Sequence, residues 1–376
     1  MTDTPRAMIY GANGYTGRLI ARHALARGLK PTLAGRNRDV VERLAAELGC
    51  PAAVFDLRQV SQVAEQLAGH KAVLHCAGPF SQTARPMMDA CISAGVDYLD
   101  ITGEIDVIEM AAGLSQRAKD ARVALIPAVG FDVVPSDCLA AMLADRLPGA
   151  RLLQLAFSAL GGMSPGTTKT MLESLPFGGR ARIDGVIRTV PTAWKTMEIP
   201  FRDKPMAGVT IPWGDVASAY YSTGIPNIEV FTTFPPKQIA GMRRFRFLLP
   251  ILGLWPLTAL ARRWVDRNVK GPSDDERLAS HSSLWGRVSD DRGNSVAATL
   301  ETLSGYHLTE LTAVAALERV LAGQVPRGFS TAAQAFGKEF ILSFPGTDIR
   351  WEAGGEAPAG TTSAEGTAGR SAASAK

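Results

Sequence analysis

The amino-acid sequence predicts an α/β protein: a Rossmann-type doubly wound parallel sheet, and a second α+β domain that contains a mostly antiparallel sheet. Over roughly the first 150 residues, short apolar runs alternate with amphipathic stretches of helical period. Strand, helix and strand at this spacing imply parallel strands joined by right-handed crossovers. After Pro148-Gly149 the strand-like runs are longer, with loops and few helices between them, which favours antiparallel pairing.

The first half of the chain contains the predicted parallel sheet and its helices. The strands are short buried runs: Ala7–Tyr10, Pro31–Ala34, Ala52–Phe55, Ala72–Cys76, Tyr98–Ile101 and Val123–Ile126. The helices are the amphipathic stretches between them: Gly17–Arg27, Arg38–Leu48, Arg58–Leu67, Ala84–Ala94 and Ile105–Asp120.

The second half predicts five longer strands: Leu152–Phe157, Ile183–Thr189, Ile228–Phe234, Ser283–Val288 and Val296–Thr302. Helices are expected at Leu308–Leu321 and Thr331–Phe336. The predicted organisation is a first domain at 1–150, a second domain for substrate binding or dimerisation at 151–325, a segment at 326–352 that packs back on the first domain, and a disordered tail rich in Ala, Gly, Ser and Thr at 353–376.

Composition excludes several classes of protein. With 40 Lys and Arg against 36 Asp and Glu the net charge is +4, which is too mild to indicate a nucleic-acid partner. The four cysteines and five histidines are scattered, so neither a disulfide framework nor a metal site is expected. The first residues lack a secretory signal, and we expect a cytoplasmic protein. A homodimer is plausible only because two-fold pairing is the commonest assembly.

The strongest local motif is a glycine turn, GANGYTG, between the first strand and the first helix. Glycine lets the backbone turn sharply and approach a pyrophosphate, and the helix N-terminus supplies N–H donors. Since the turn lies in the first βαβ unit, it predicts dinucleotide binding rather than an ordinary turn. The residues assigned to the cofactor are Gly11, Asn13, Gly14, Tyr15, Thr16 and Gly17.

The second strand is followed by Gly35-Arg36-Asn37, where NAD-binding proteins usually carry an acidic residue for the ribose 2′-hydroxyl. An arginine at this position grips a 2′-phosphate instead, so we expect NADP rather than NAD. The alternative is a solvated loop arginine. Asp56 follows the third strand, where it contacts the adenine amino group or acts as an ordinary helix N-cap.

The loop after the fourth strand, Ala77-Gly78-Pro79-Phe80, is expected to pass close to the cofactor. Ligands of such sheets bind at the carboxyl ends of adjacent strands. Gly78 permits close backbone approach, Pro79 stiffens the loop, and Phe80 would form a wall of the nicotinamide pocket. The competing interpretation is a tight turn.

With these motifs together, the chain resembles the saccharopine dehydrogenase-like oxidoreductases over about residues 6–340. Two further strings, DYLDITGE at 97–104 and GFDVVPSD at 130–137, are similar to signatures of the trans-acting enoyl reductases and of the animal saccharopine dehydrogenase-like proteins. The resemblance implies an NADP-binding Rossmann domain and a second α+β domain. For the enoyl reductase branch it implies reduction of a carbon–carbon double bond in a lipid or polyketide chain held by a separate synthase. Gly103 and Gly130, which lie in these strings, join the predicted cofactor contacts.

Carboxylates follow the fifth and sixth strands, and Glu104 and Asp132 are the candidate catalytic residues. Asp100 and Asp137 lie nearby in the sequence. Carboxylates at one rim suit substrate positioning or proton delivery. The alternative is helix capping, by Glu104 before Ile105, or by Ser136 or Asp137 before the helix through Leu139–Leu147. No tyrosine is followed four residues later by lysine, which argues against the short-chain dehydrogenase mechanism.

Two further segments each allow more than one interpretation. The string from Gly161 to Lys169 either faces the nicotinamide with hydroxyls and helix N-terminal amides, or is a loop-to-helix start with Ser164 as the cap and Pro165 at the first helical position. Phe247–Ala261 is apolar, contains two prolines and is flanked by arginines. It is too short to span a bilayer. It would lie in a membrane interface or line an acyl tunnel, or else form a core or dimer helix.

The leading hypothesis is therefore an NADPH-dependent reductase of a small-molecule or carrier-bound acyl substrate, cytoplasmic or associated with a membrane surface. The alternatives are an amino-acid C–N oxidoreductase of the saccharopine type, which requires cationic groups for the substrate carboxylates, and a non-catalytic NADP-binding protein at a lipid surface.

Overall fold

A computed structural model describes residues 7–159, 164–174, 177–248, 255–269 and 271–352. The described strands, in chain order, are β1 Ala7–Tyr10, β2 Thr32–Gly35, β3 Ala52–Val54, β4 Ala72–His75, β5 Asp97–Asp100, β6 Ala124–Ile126, β7 Leu152–Ala159, β8 Gly179–Ile183, β9 Val186–Val190, β10 Thr196–Pro200, β11 Pro205–Thr210, β12 Asn227–Thr233, β13 His281–Ser289, β14 Ser295–Leu303, β15 Gly328–Phe329 and β16 Asp348–Trp351.

The described α-helices are α1 Tyr15–Ala26, α2 Arg38–Leu48, α3 Val60–Leu67, α4 Phe80–Ala94, α5 Ile105–Gly113, α6 Ser115–Asp120, α7 Val134–Arg146, α8 Pro165–Ser174, α9 Asp215–Thr223, α10 Pro236–Phe245, α11 Trp255–Asn268, α12 Asp274–Ala279, α13 Gly305–Leu321 and α14 Ala332–Phe336. Short 3₁₀ turns occur at Arg246–Leu248 and Phe340–Ser343.

The first sheet has seven parallel strands in the order β15-β6-β5-β4-β1-β2-β3. β1 lies between β2 and β4, so the strand order reverses there, which is the position where ligands bind in doubly wound sheets. The predicted doubly wound architecture is confirmed.

Local sequence explains the helix bounds in this half. The Asn37 side chain accepts a hydrogen bond from Val40 N at 3.3 Å and so caps α2, and Gly49 ends that helix in the left-handed conformation. The predicted helix Ile105–Asp120 is wrong as a single element, because it is divided at Leu114 into α5 and α6.

The second sheet runs in the order β10-β11-β12-β7-β13-β14-β16, with the β8–β9 hairpin attached to β12 through β8. Only the β7–β12 pairing is parallel among its described pairings. The predicted mostly antiparallel sheet is confirmed.

Three details of the second half were predicted wrongly. The strand Ile183–Thr189 is instead a hairpin, because Asp184 and Gly185 both have positive φ and form a two-residue turn between β8 and β9. Strands β10 and β11 were not predicted. The expectation of few helices is also wrong, since α8, α9, α10, α11 and α12 lie between residues 165 and 279.

The two sheets are joined by α7, whose buried residues lie on every side of the helix. One apolar core runs continuously from Ile9 of β1 through Leu139 of α7 to Leu284 of β13. The chain then returns to both sheets, since β15 pairs with β6 and β16 pairs with β14. The predicted domain limits at 150, 325 and 352 stay predictions, and the predicted tail at 353–376 lies outside the described residues.

Candidate functional site

The glycine turn after β1 forms a tight cradle at the N-terminus of α1. Gly11 has φ +83°, and a Cβ there would lie 2.7 Å from Ala77 N. A Cβ on Gly17 would fall on the carbonyl oxygen of Gly11, well inside van der Waals contact. Gly14 is the N-cap and provides no side-chain cap, so the first-turn N–H groups of α1 are available to an anion. A pyrophosphate fits this geometry.

Gly35 brings the end of β2 against the glycine turn. A Cβ on Gly35 would lie 2.8 Å from Asn13 Oδ1. The next residue, Arg36, is exposed, and no hydrogen bond or ion pair joins its guanidinium to the rest of the described chain. Asn37 serves as the cap of α2. Among these predicted cofactor residues, Arg36 therefore presents an unpaired cation beside the cradle.

Tyr10 and Asp56 both lie close enough to Arg36 to interact with its charge. The Tyr10 hydroxyl donates to Phe55 O at 3.1 Å, and burial raises its pKa to about 12, opposed by the Arg36 charge. Asp56 accepts from Arg58 N at 2.9 Å and pairs with the Arg58 guanidinium. Its interpretation as a helix N-cap is wrong, because Gln59 holds that position before α3. Contact with adenine stays a prediction.

The loop from Ala77 to Phe80 lies at the carboxyl end of β4, next to Gly11, and its Gly78–Pro79 peptide is cis. Thr83 donates to Ala77 O at 2.7 Å and is also within 3.0 Å of Pro79 O. Phe80 N donates to Glu104 Oε1 at 2.9 Å. The Glu104 carboxylate thus holds this loop from the end of β5. It occupies the N-cap position of α5 without a side-chain cap bond.

Asp132 lies where the first sheet meets the second. A Cβ on Gly103 would lie 2.9 Å from Asp132 Oδ2, and Trp213 Nε1 donates to Asp132 O at 2.7 Å. The rings of Phe131 and Trp213 both pack on Phe157. Burial among these groups raises the pKa of Asp132 to about 7. Near pH 7 this carboxyl is therefore protonated in part of the molecules and ionised in the rest, as a group that transfers protons at neutral pH must be.

Two neighbouring carboxylates, Asp100 and Asp137, have structural partners. Asp100 is buried and accepts from Tyr98 Oη at 2.6 Å, Thr102 N at 2.9 Å and Ala128 N at 2.8 Å; burial raises its pKa to about 6. Asp137 accepts from Ser222 Oγ at 2.5 Å and Ala333 N at 2.8 Å.

The capping alternative offered for Ser136 and Asp137 is wrong, since α7 already begins at Val134. The two glycines assigned to the cofactor in this region both lie against side chains. Gly103 lies against Asp132, and a Cβ on Gly130 would lie 3.0 Å from Thr309 Cγ2.

A group of hydroxyls at the start of α8 and of α13 lies beside the glycine turn. Ser164 N donates to Tyr306 Oη at 2.6 Å, and Thr167 Oγ1 lies 3.1 Å from the same oxygen. The Tyr306 ring packs edge-on against Tyr15 at 5.1 Å. Ser164 Oγ also accepts from Thr167 N at 3.3 Å, so the loop-to-helix interpretation is confirmed at Ser164-Pro165. Residues 161–163 of the predicted string lie outside the described residues.

One known protein family matches the N-terminal part of the chain. Residues 7–126 match the family model described as saccharopine dehydrogenase NADP binding domain. These residues are therefore similar to that family. The predicted resemblance is thereby confirmed for these residues, and the domain is of the kind that binds a nicotinamide dinucleotide.

The curated relatives align with less than half of this chain. A protein of Mycobacterium tuberculosis provisionally named a trans-acting enoyl reductase is 34% identical over 192 residues, which is 46% of each chain. The trans-acting enoyl reductase of Mycobacterium ulcerans is 31% identical over 138 residues, 35% of this chain and 33% of that one. The chain thus spans about half the length, or less, of the curated relatives it matches.

A solved structure extends the similarity beyond the saccharopine dehydrogenase NADP binding domain. Apo saccharopine dehydrogenase (L-Glu forming) of Saccharomyces cerevisiae superposes with a TM-score of 0.65 and 14% identity, covering 93% of this chain and all of that one. At this identity the match shows the fold alone, and the fold includes both sheets.

Several residues of the site were not predicted. Trp213, Thr309 and Tyr306 contact Asp132, Phe131 and Tyr15 from distant parts of the sequence. His75 was not predicted either; it is buried against Phe80 and Thr83, and burial lowers its pKa to about 3. Helical or strand periodicity does not indicate the contacts of Trp213, Thr309 and Tyr306, because each joins residues more than 80 positions apart.

Other predicted features lie away from this site. The four cysteines are free thiols, and the described residues contain no cluster of three metal-ligating side chains. No helix of the described chain is long and apolar enough to cross a bilayer. Of the segment Phe247–Ala261, residues 249–254 lie outside the described residues, and among its described side chains Phe247 and Leu260 are exposed.

Proposed function

We propose that this protein is an NADPH-dependent enoyl reductase that acts on a lipid or polyketide-like acyl chain held by a carrier. The observation that carries the proposal is Asp132, a poised carboxyl among aromatic side chains beside the dinucleotide-binding edge of the first sheet. The names of the mycobacterial relatives support the same activity. A separate synthase would supply the chain, as the term trans-acting implies.

The choice of NADPH rests on Arg36. Its guanidinium is exposed and unpaired at the end of β2, where a ribose 2′-phosphate would lie in a Rossmann domain. The cradle at Gly11–Gly17 would hold the pyrophosphate through the first N–H groups of α1. The loop held by Glu104 would lie against the nicotinamide ring.

The reaction needs a hydride and a proton at the two carbons of the double bond. NADPH supplies the hydride when it is bound. Asp132, protonated in a substantial fraction near pH 7, would donate the proton to the carbon next to the carbonyl. Phe131, Phe157 and Trp213 would exclude water and receive the apolar chain. Glu104 would act as a positioning residue, through its hydrogen bond from Phe80 N.

The second candidate, an amino-acid C–N oxidoreductase, requires free cations for substrate carboxylates. A polar cavity of about 460 Å³ between α5 and the β8–β9 hairpin does contain Arg180 and Arg182. Both are already neutralised, by Asp106 and Glu109 respectively. Two aromatic side chains lie beside Asp132, those of Trp213 and of the preceding residue, Phe131, and they favour an acyl substrate over an amino acid.

The cofactor assignment is tested by calorimetry on the Arg36→Asp variant. We expect the affinity for NADPH to fall at least tenfold while that for NADH changes less, because the lost ion pair involves only the 2′-phosphate. Arg43→Asp makes the same charge change on exposed α2 surface and should leave both affinities unchanged. Equal losses for both nucleotides in Arg36→Asp would overturn the assignment.

The reaction is tested by following NADPH absorbance with trans-2-decenoyl-pantetheine as substrate and saccharopine with NADP⁺ as the comparison. We expect turnover of the thioester, with the saturated thioester identified by mass spectrometry. Turnover of saccharopine alone would favour the C–N reaction. Dinucleotide binding with no turnover of either would favour a non-catalytic protein.

A further inference from the structure

One stretch of the second half concentrates exposed apolar side chains. Eight large hydrophobic side chains of the described residues are exposed, and four of them lie between residues 245 and 264. These are Phe245 (52% exposed), Phe247 (69%), Leu260 (68%) and Trp264 (61%). The other four are dispersed over the rest of the described chain. Exposed apolar groups gathered in one segment indicate a contact surface rather than ordinary scatter.

The same stretch concentrates positive charge. Residues 236–268 contain seven Lys or Arg and one Asp, a net charge of +6, whereas the whole chain carries only +4. The rest of the protein is therefore slightly acidic. Arg243, Arg244, Arg246, Arg263 and Arg267 are exposed, and no described carboxylate pairs with any of them.

The geometry of α11 arranges these groups for a surface contact. Leu260 and Trp264 are four residues apart and share one face of the helix, and Arg263 and Arg267 form an adjacent stripe. Val265 is 1% exposed and faces the protein. The helix packs on α8, so it is held against the fold with its Trp and Arg side chains outward.

We propose that α10, the turn after it and α11 form a docking surface for an anionic lipid membrane. Aromatic and aliphatic side chains flanked by arginines are the composition of helices that lie in the headgroup region. With 14 residues, α11 would extend about 21 Å as a helix, short of the roughly 30 Å hydrocarbon core. It would therefore lie on the membrane rather than cross it.

The charge favours lipid over a second copy of this chain. A two-fold dimer brings the same patch of both copies together, so at least five arginines of each copy would face one another without partners. Anionic headgroups neutralise them, each basic group contributing about fivefold in affinity.

A lipid surface would also lie close to the proposed reaction site. The first turn of α8 contacts Tyr306 through Ser164 and Thr167, and Tyr306 packs on Tyr15 of the glycine turn. A membrane docked on α11 would thus be linked to the cradle through α8, Tyr306 and Tyr15. This consequence rests on the proposed function, whereas the docking itself does not.

The test is flotation of the full chain with vesicles of phosphatidylcholine alone or with 30% phosphatidylglycerol, without nucleotide. We expect binding to the anionic vesicles at 50 mM salt that weakens at least tenfold at 500 mM salt. The variant R263E/R267E should bind at least tenfold more weakly, and L260S/W264S should also lose binding.

The control R292E/R350E makes the same charge change at exposed positions of the second sheet and should bind like the unmodified protein. Retained NADPH binding shows that each variant is folded. Equal binding to neutral vesicles, no binding to anionic vesicles, or equal losses in the control would overturn the proposal. So would a doubled mass in light scattering that R263E/R267E abolishes, since that result would show a dimer interface. If the protein binds vesicles but does not reduce the thioester, the docking proposal is supported and only the proposed reductase activity is contradicted.

Discussion

At the scale of single residues, the two candidate carboxylates differ in what surrounds them. The Glu104 carboxylate accepts a hydrogen bond from Phe80 N. No described donor bonds to the carboxylate of Asp132, and burial raises the pKa of that carboxyl to about 7. The sequence predicted that both lie near the ligand crevice. It did not separate their roles, because Trp213, which donates to the Asp132 carbonyl oxygen, lies 81 residues away in the sequence.

Replacing these carboxylates should therefore have unequal effects. Asp132→Asn removes the proton donor, and we expect kcat to fall at least 100-fold. Glu104→Gln keeps an oxygen that accepts from Phe80 N, so the loss should stay below about tenfold. In the unmodified enzyme the rate should decline above about pH 7, as Asp132 loses its proton, and this decline should be absent from the residual activity of Asp132→Asn. Similar losses in both variants, or an unchanged pH profile, would contradict the assignment.

The same residue predicts a pH-dependent stability. Because burial raises the pKa of Asp132 to about 7, the folded state binds a proton that the unfolded state releases near pH 4. The free energy of unfolding must then decrease as the pH rises from about 4 to 7, by at most about 1.4 kcal/mol per pH unit for one proton. Burial of Asp100 acts in the same direction.

Urea denaturation at pH 5, 6, 7 and 8 measures this slope. Asp132→Asn should flatten it, whereas the exposed Asp291→Asn should not change it. If the slope of Asp132→Asn matched that of the unmodified protein, Asp132 would have no raised pKa in the folded state.

At the scale of elements, the sequence predicted what local pattern determines. Helix α2 has the predicted bounds because a cap at Asn37 and a glycine at Gly49 mark both ends. The β8–β9 hairpin was missed because its turn, Asp184-Gly185, interrupts a run of β-forming residues by only two positions. Likewise Thr309 lies in the predicted helix Leu308–Leu321 and Tyr306 lies just before it, on the turn that the structure adds to α13, but the partners of both lie more than 130 residues away.

The glycine cradle allows a sharp test of one element. A methyl group at Gly17 would overlap the carbonyl oxygen of Gly11, so Gly17→Ala must move the turn or the first turn of α1. We expect a stability loss of about 2 kcal/mol or more and loss of measurable dinucleotide binding. Gly113→Ala is the matched control, since Gly113 also lies in a terminal turn of a helix and has no neighbour within 4 Å of its Cβ position. It should be neutral or stabilising by up to about 1 kcal/mol. Thermal melts and calorimetry compare the two variants.

At the scale of the whole molecule, the two sheets share one core. α7 is buried on every side because β13 of the second sheet lies directly against it. A helix that is apolar all round is typical of an element enclosed by others. The predicted boundary at residue 150 separates the two sheets in sequence, but the packing of α7 couples them energetically, and that coupling depends on contacts the local pattern does not encode.

This coupling predicts that a defect in the second sheet destabilises the first by the same amount. A Cβ at Gly286 would lie 2.6 Å from Leu143 Cδ1 and 3.1 Å from Leu139 Cδ2, so Gly286→Ala should cost about 1–3 kcal/mol by overpacking. All six tryptophans lie beyond residue 190, so their fluorescence reports the second sheet, while dinucleotide binding reports the first. In urea, tryptophan fluorescence and dinucleotide binding should change at the same midpoint, and that midpoint should be lower than in the unmodified protein. The reason is that the two sheets unfold together as one cooperative unit. If only the fluorescence midpoint moved while binding persisted to the original urea concentration, the two sheets would be independent folding units, and α7 would contribute to the first alone.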